Sequence, residues 1–295
     1  MSTTVLSPDR PATVLPPAAA RGAWSPGHVA AAVALPFWVA VSVGGLFADG
    51  FYPDGPWARE AFRGSDLATL LVGVPVLVAS LALSLRGSPR ARLVLLGMLA
   101  YGTYDYSYYA FGAELSDWLL LHLGAFVASL AGLVLVAYEL DVGSLTRRAV
   151  PRGTRRLVGA YLCAVGGAMT FLWVSASVRY ALFDELLGDA PKAGQHLVFA
   201  IDLTLLVPGL VAAGVLLWRG AAWGVPAAIA MNVLAAVYQV ALMAAAGFQT
   251  EAGVIDAGWF SPASVAIAAV SVASLVVLLR AVRGAREHPV RHGRS

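Results

Sequence analysis

Charged residues are scarce in this chain. Asp, Glu, Lys and Arg make up only 13% of its 295 residues, whereas a soluble domain carries about 25%. Apolar residues supply 59% of the chain, and the mean hydropathy is +0.74. Because so few polar groups cannot cover a water-soluble globule, the composition excludes a soluble enzyme, a disordered protein and a fibrous protein. It predicts a multi-pass integral membrane protein.

Cysteine and lysine are nearly absent. The single cysteine, Cys163, lies in an apolar run, which excludes an internal disulfide and a cysteine-based metal site. Lys192 is the one lysine among twenty basic residues. Together with abundant Ala, Val, Leu and Gly, this use of arginine favours a GC-rich bacterial genome. The sequence therefore predicts a protein of the bacterial cytoplasmic (plasma) membrane.

Signatures of known chemistry are missing as well. The sequence has no glycine-rich phosphate loop, no His-Glu-x-x-His and no Gly-x-Ser-x-Gly motif. A bis-histidine haem needs two facing histidines at one level, and His196 is expected in a loop or a first helical turn, away from His122. The spacing of His122, Asp105 and Asp202 in the sequence matches no known metal-binding motif. We therefore predict no cofactor and no metal ion.

Long apolar runs, by contrast, are abundant. A helix that crosses the hydrocarbon needs roughly 20 mainly apolar residues, and eight segments reach that length. They predict an all-α fold, a polytopic membrane bundle of eight transmembrane helices. The predicted spans are 28–48, 67–85, 93–112, 118–138, 157–178, 197–218, 222–247 and 262–282.

Short connections separate these spans, so we expect no soluble domain between them. Residues 1–27 contain five prolines and few large apolar groups, which predicts a disordered cytoplasmic tail. The remaining predicted segments are a first four-helix repeat (28–138), a basic cytoplasmic loop (139–156), a second four-helix repeat (157–282) and a basic cytoplasmic tail (283–295).

Basic residues are unevenly divided between the two sides of the predicted bundle. With the N-terminus in the cytoplasm, 16 basic residues lie inside and four lie outside, while 11 acidic residues lie outside and four inside. The four outer basic residues are Arg59, Arg63, Arg179 and Lys192. Because arginine-rich loops stay in the cytoplasm, both termini are predicted inside. We expect the basic rim to contact anionic lipid, not nucleic acid.

The two halves of the chain resemble each other at an offset of 133 to 136 residues. The matching pairs are Trp38 to Val43 with Trp173 to Val178, Asp66 with Asp202, Pro75 with Pro208, and Arg86-Gly87 with Arg219-Gly220. Four spans per copy give both copies the same orientation. The sequence therefore predicts a parallel repeat about an axis along the membrane normal.

Polar side chains gather in the outer halves of the predicted spans. A carboxylate at the bilayer centre costs about 2.5–3.5 kcal/mol, so it persists only beside a partner, a cavity or water. Five of the ten tyrosines fall within nine residues of the third span, and helical periodicity places Tyr101, Asp105 and Tyr108 on one face. We predict an outward-facing polar pocket. Its candidate residues are Asp66, Tyr101, Tyr104, Asp105, Tyr108, His122, Asp202, Asn232 and Gln239.

The same residues also have a purely structural interpretation, as polar contacts between helices or as part of an interfacial aromatic belt. The pocket hypothesis differs in requiring Asp105, His122 and Asp202 to converge inside the bundle. It names Tyr101, Tyr108 and His122 as donors to the carboxylates. Both interpretations stay open at this point.

A resemblance accompanies these motifs. The stretch Tyr101…Tyr104-Asp105-Tyr106…Phe111-Gly112, with Asp66…Pro75 before it and Asp202…Pro208 later, resembles a group of uncharacterised bacterial multi-pass membrane proteins. The group has Asp or Asn at the position of Asp105. The resemblance covers most of the membrane region but not the tails. It implies the topology and no activity.

Three classes of function remain. A transporter or permease for a small molecule or ion requires water access to Asp105 and Asp202 from outside. A structural or accessory subunit, bound to other membrane proteins, requires a bundle without a pocket. A membrane enzyme acting on a lipid-like or quinone substrate requires a lateral opening beside Asp105 and His122, the one acid–base pair at hand.

Overall fold

Eight long helices form the structure, a computed structural model that describes residues 23–145, 150–188 and 190–282. No strand occurs among these residues, so the all-α prediction is confirmed. The helices are α1 (Pro26–Phe47), α2 (Pro56–Leu85), α3 (Pro89–Gly112), α4 (Leu119–Tyr138), α5 (Arg152–Phe183), α6 (Lys192–Arg219), α7 (Gly224–Glu251) and α8 (Pro262–Ala281). The predicted tail over 283–295, residues 1–22 of the N-terminal tail and residues 146–149 of the predicted loop lie outside the described residues.

Several helices extend beyond the apolar segments that predict them. α2 begins at Pro56 instead of residue 67, and α5 covers 152–183 instead of 157–178. The added turns contain charged residues, which lower hydropathy without interrupting the helix. Proline suits the first position of α2, since that position needs no donor. Ser25, Ser88 and Ser261 cap α1, α3 and α8 through hydrogen bonds to backbone amides.

The connections between helices lie at two ends of the bundle. The acidic end, as we name it, carries 48–55, 113–118, 184–188, 190–191 and 252–261, and the amide of Glu114 there donates to Asp54 Oδ1 at 2.9 Å. The basic end carries 86–88, 139–145, 150–151 and 220–223, and Arg90 Nε there donates to the carbonyl of Val282 at 2.6 Å. Neighbouring helices in the chain therefore run antiparallel.

Seven helices in the described residues are long and apolar enough to cross a membrane. The eighth, α3, is long enough but not sufficiently apolar, because five tyrosines and Asp105 lower its hydropathy. α3 is nevertheless sheltered, since it packs against α2, α4 and α7. The outer surface of the bundle exposes large apolar side chains such as Phe171, Leu120 and Val127, which indicates contact with lipid. The protein is therefore a multi-pass membrane protein by its architecture.

Helix packing differs between the two halves. α7 lies at the centre, against α2, α3, α6 and α8, and Gly64 of α2 allows the backbone of Ala245 in α7 to approach closely. In the first half, α1 packs along α4. In the second half, α5 packs on α6 and α8 packs on α7. Tyr161 connects α5 to α8 within the bundle, where its hydroxyl lies 3.1 Å from the carbonyl of Ile267 and 2.8 Å from Ser271 Oγ.

Both α2 and α6 contain one π-helical turn, at Thr69–Gly73 and at Asp202–Leu206. A proline follows each turn by two residues, Pro75 and Pro208. Proline removes one backbone donor and crowds the preceding turn, and a wider turn accommodates this within a continuous helix. Thr69 and Asp202 therefore occupy equivalent places at the start of the two π turns.

A group of hydrogen bonds around Glu139, which we call the Glu139 cluster, ties the first half together at the basic end. The carboxylate accepts from Ser25 Oγ at 2.6 Å, from the amide of Gly27 at 2.8 Å and from Arg92 at 2.5 Å. The start of α1, the start of α3 and the end of α4 are thus joined through one side chain. His28 extends the contacts to α2, with Nε2 lying 2.8 Å from Ser84 Oγ.

Candidate functional site

A cavity of about 1040 Å³ opens between α2, α3 and the four helices of the second half. Its lining includes exposed residues of the acidic end, among them Pro56, Glu114 and Pro191. It also includes Leu210, nine residues before the end of α6, which places the floor about 14 Å along the helix from the basic end. The cavity therefore extends from the acidic end past the middle of the bundle.

The lining is mostly apolar, and its charged groups have one sign. Four carboxylates line the cavity, those of Asp54, Asp105, Glu114 and Asp202. None of the described residues that line it is Lys, Arg or His. Aromatic rings contribute much of the wall, namely those of Trp57, Phe62, Tyr108, Tyr109, Trp173 and Tyr238.

Asp202 is held by donors from three directions. Oδ1 accepts a short hydrogen bond from Tyr104 and another from Tyr108 at 2.8 Å, and Oδ2 accepts from Trp173 Nε1 at 2.9 Å. The hydroxyls of Tyr104 and Tyr108 lie 2.9 Å apart, so the two tyrosines form one unit. The residue is 1% exposed. This carboxylate connects α3, α5 and α6, and its hydrogen-bonding capacity is largely used.

Asp105 has a much poorer set of partners. Oδ1 accepts from Ser65 Oγ at 2.7 Å, and Oδ2 has no hydrogen-bond partner among the described residues. The residue is 3% exposed, yet it lines the cavity. The tyrosines proposed as its donors have other partners, since the hydroxyls of Tyr101 and Thr69 lie 2.7 Å apart and Tyr108 bonds to Asp202. Asp105 thus lines the cavity with one buried carboxylate oxygen that has no partner among the described residues.

Asp66 belongs to a separate polar group, farther from the cavity. Its carboxylate accepts from Tyr52 at 2.6 Å and from Tyr109 at 3.2 Å. Tyr52 lies in the connection between α1 and α2, and burial together with the charge of Asp66 raises the pKa of its phenol well above the ordinary value. His122 packs beside them, with its ring 5.9 Å from that of Tyr52 and 5.5 Å from that of Tyr109.

The candidate residues thus divide between the cavity and the helix contacts around it. Asp105, Tyr108, Asp202 and Gln239 line the cavity. Tyr104 contacts the cavity only through its hydrogen bond to Asp202. Tyr101, Asp66 and His122 make their contacts with other residues of the first half. Asn232 is fully buried, and its Nδ2 donates to the carbonyl of Ala228 in its own helix at 2.7 Å. Asp105 and Asp202 therefore share one cavity, whereas His122 packs behind Tyr109.

Sequence reasoning missed three residues of the cavity. Trp173 attracted notice only as part of the repeat, although its indole nitrogen bonds to Asp202. Ser65 precedes Asp66 and donates to Asp105 Oδ1. Asp54 is 4% exposed with Oδ2 unpartnered, but a loop aspartate gives no hydropathy signal. Of these three residues, only Ser65 is adjacent in sequence to an intramembrane aspartate, so only Ser65 could have been found from the sequence.

Neither a metal centre nor a known relative assigns a role to this site. Within residues 23–145, 150–188 and 190–282, no three His, Cys, Asp or Glu side chains come together as a metal site. Comparison of the chain with protein-family models, curated proteins and solved structures finds no match. The function must therefore be argued from the geometry of the cavity.

Proposed function

We propose that this protein is a membrane transporter that binds a small molecule in the cavity between α2, α3 and the four helices of the second half. The cavity carries the proposal, because its volume of about 1040 Å³ suits an organic molecule and its mouth lies at one end of the bundle. Transporters place their binding sites near the middle of the membrane, between repeats. Asp105 and Asp202 lie on helices of different halves and line this one cavity.

The proposed arrangement places eight spans in a bacterial plasma membrane, with both termini and the basic end in the cytoplasm. The uneven division of arginine supports this orientation. The two π turns, each followed by a proline, support a parallel repeat of four helices. In this orientation, the mouth of the cavity faces outward.

The cavity also weighs against the two alternative functions. A structural subunit needs no cavity of this size, and its polar residues would be expected to bond to one another, as Asp66, Tyr52 and Tyr109 do. A membrane enzyme that uses Asp105 and His122 as an acid–base pair would need both in the cavity. His122 instead packs between the rings of Phe51, Tyr52 and Tyr109.

Thiol labelling tests the proposed transport function. Single cysteines replace Ala61, Ala245 and Val165 in a Cys163→Ala background, since these three residues line the cavity at increasing depth. We expect a membrane-impermeant thiol reagent to label Ala61→Cys and Ala245→Cys from outside intact cells. Val165→Cys should also react from the basic end in inside-out vesicles, because a transporter must expose its site to each side in turn.

Val127→Cys is the matched control, because Val127 lies on α4, is 58% exposed and is expected to face lipid. It should stay at least ten times less reactive from either side. Labelling of cavity positions from outside alone would overturn transport and leave an outward-facing receptor. Labelling no faster than that of Val127→Cys would overturn a water-filled cavity altogether.

A further inference from the structure

We propose that the ligand of the cavity is a hydrophobic organic cation whose ammonium group binds Asp105. This inference rests on the cavity of the proposed function and names the chemical class of its ligand. It does not depend on whether the ligand is carried across the membrane.

The charge of the lining is the first support. Asp54, Asp105, Glu114 and Asp202 contribute carboxylates, and no basic side chain of the described lining offsets them. An apolar cavity with carboxylates alone concentrates cations and repels anions, because low-dielectric walls strengthen the field inside. An anionic substrate is therefore disfavoured before any contact is made.

The unused acceptor of Asp105 is the second and independent support. The residue is buried, and Oδ2 lacks a partner. A carboxylate removed from water without donors costs free energy that a ligand N–H group would recover. Asp202 already accepts from Tyr104, Tyr108 and Trp173, so it has little capacity left for a ligand. The two carboxylates thus have different roles, with Asp105 binding the ligand and Asp202 holding the wall.

Aromatic groups in the same lining indicate that the cation is organic. Tyr108 and Tyr109 lie on the same helix as Asp105, and Trp57 and Tyr238 line the cavity from α2 and α7. Aromatic faces attract ammonium groups and also pack against apolar ligand bodies. A bare Ca²⁺ or Mg²⁺ ion needs about six oxygen ligands, which this apolar lining does not offer around one point.

Asp54 has a secondary part at the mouth of the cavity. Its Oδ1 accepts from the amide of Glu114, and its Oδ2 has no hydrogen-bond partner among the described residues. Charges at an entrance raise the local concentration of an oppositely charged ligand without fixing its pose. We therefore expect a weaker effect from Asp54 than from Asp105.

Binding of three matched probes tests the inference on the full chain in zwitterionic lipid nanodiscs. The probes are 2-naphthylmethylammonium, 2-naphthylmethanol and 2-naphthoate, which share one ring system and differ in charge. Isothermal titration calorimetry measures the Kd of each, with empty nanodiscs to subtract partitioning into lipid. We expect the ammonium probe to bind at least tenfold more tightly than the alcohol and the carboxylate to bind most weakly.

Variants then locate the ammonium group. Asp105→Asn should weaken binding of the ammonium probe at least tenfold and leave binding of the alcohol within twofold. Asp54→Asn should weaken binding of the ammonium probe about two- to threefold. Glu185→Gln removes an exposed carboxylate that lies at the acidic end but outside the lining, so this variant should bind the ammonium probe with an unchanged Kd. Thermal unfolding of each variant in the same nanodiscs checks that the bundle is intact.

Equal binding of the three probes to the unmodified protein would overturn the inference without recourse to any variant. Unchanged binding to a folded Asp105→Asn protein would overturn the role of Asp105. The labelling experiment is separate: a cation that binds without two-sided labelling removes transport and keeps this inference. Two-sided labelling without a preference for the ammonium probe supports transport and overturns this inference.

Discussion

The first half of the bundle is closed where the second half is open. Trp38 Nε1 of α1 donates to Ser129 Oγ of α4 at 2.9 Å, in the buried interior of the first half. Trp173 of α5 lies in a run of sequence similar to that around Trp38, but it lines the cavity and bonds to Asp202 instead. α1 packs along α4, whereas residues of both α5 and α8 line the cavity, and Tyr161 connects these two helices.

The comparison extends to the basic end and to the π turns. Glu139 joins α1, α3 and α4 at the basic end, whereas the last turn of α8 carries no acidic residue that could join its neighbours in the same way. Thr69 begins the first π turn beside the hydroxyl of Tyr101, whereas Asp202 begins the second with three donors. The first half therefore has the contacts of a fixed scaffold, whereas the helices of the second half line a cavity.

The Glu139 cluster should give the largest change in stability. Glu139→Ala removes the acceptor of Ser25, Gly27 and Arg92 and leaves Arg92 unpaired, so we expect a loss of about 2–3 kcal/mol in the free energy of unfolding. Thermal unfolding in detergent measures it. Glu185→Gln serves as the control, because Arg179 and Glu185 are both exposed and should contribute less than about 0.5 kcal/mol. Equal losses in the two variants would contradict a special role for the cluster.

The two tryptophans test the asymmetry directly. Trp38→Phe removes a hydrogen bond and leaves a void at a position that is fully buried, and should cost about 2 kcal/mol. Trp173→Phe removes one of three donors to Asp202 at the wall of an existing cavity, and should cost about 1 kcal/mol. The same unfolding assay compares them. A larger loss for Trp173→Phe would mean that the second half is packed as tightly as the first.

The residues that begin the π turns should differ less. Asp202→Asn places an amide N–H group against the indole N–H of Trp173 or against a tyrosine hydroxyl, and should lower stability by about 1 kcal/mol. Thr69→Val removes one hydroxyl contact with Tyr101, for which we expect about 0.6 kcal/mol. A cost for Asp202→Asn below that for Thr69→Val would contradict the proposal that Asp202 holds the cavity wall.

Much of the architecture is predictable because long apolar runs have few alternatives to a membrane helix. Hydropathy locates all eight long helices, but it places the start of α2 eleven residues late, since the turns around Arg59 and Glu60 are helical without being apolar. The seven helices that meet the length and hydropathy of a span leave α3 undecided on those grounds alone. Burial of α3 against α2, α4 and α7 explains how a helix so rich in tyrosine fits into the bundle, and a hydropathy profile does not record such packing.

Details of the site are less predictable from sequence. Helical spacing predicts Tyr101, Asp105 and Tyr108 on one face of α3, but a tyrosine hydroxyl lies far from its own helix axis and reaches a neighbouring helix. Tyr101 therefore contacts Thr69, Tyr108 bonds to Asp202, and Asp105 accepts from Ser65 of α2. Likewise, Trp38 and Trp173 stand in similar sequences, and only the packing of α4 and α8 around them decides which one closes its half.

Disulfide trapping examines whether the second half can close like the first. A Cβ atom on Gly132 would lie 3.6 Å from that of Ala30, a separation typical of disulfides, with Leu99 shifting slightly to make room. In a Cys163→Ala background, the pair Ala30→Cys and Gly132→Cys should therefore oxidise within minutes, since α1 and α4 are already in contact. Val165 of α5 and Ile267 of α8 both line the cavity. The pair Val165→Cys and Ile267→Cys should oxidise over hours, because a closed state populated at roughly 0.1–10% is trapped only slowly. Non-reducing electrophoresis measures both rates, and a ligand that fills the cavity should slow the second without affecting the first. Rapid oxidation of both pairs would contradict the open second half, whereas no oxidation of the second pair would mean that α5 and α8 come no closer here than the contacts of Tyr161 already bring them, and that the cavity does not close by this movement.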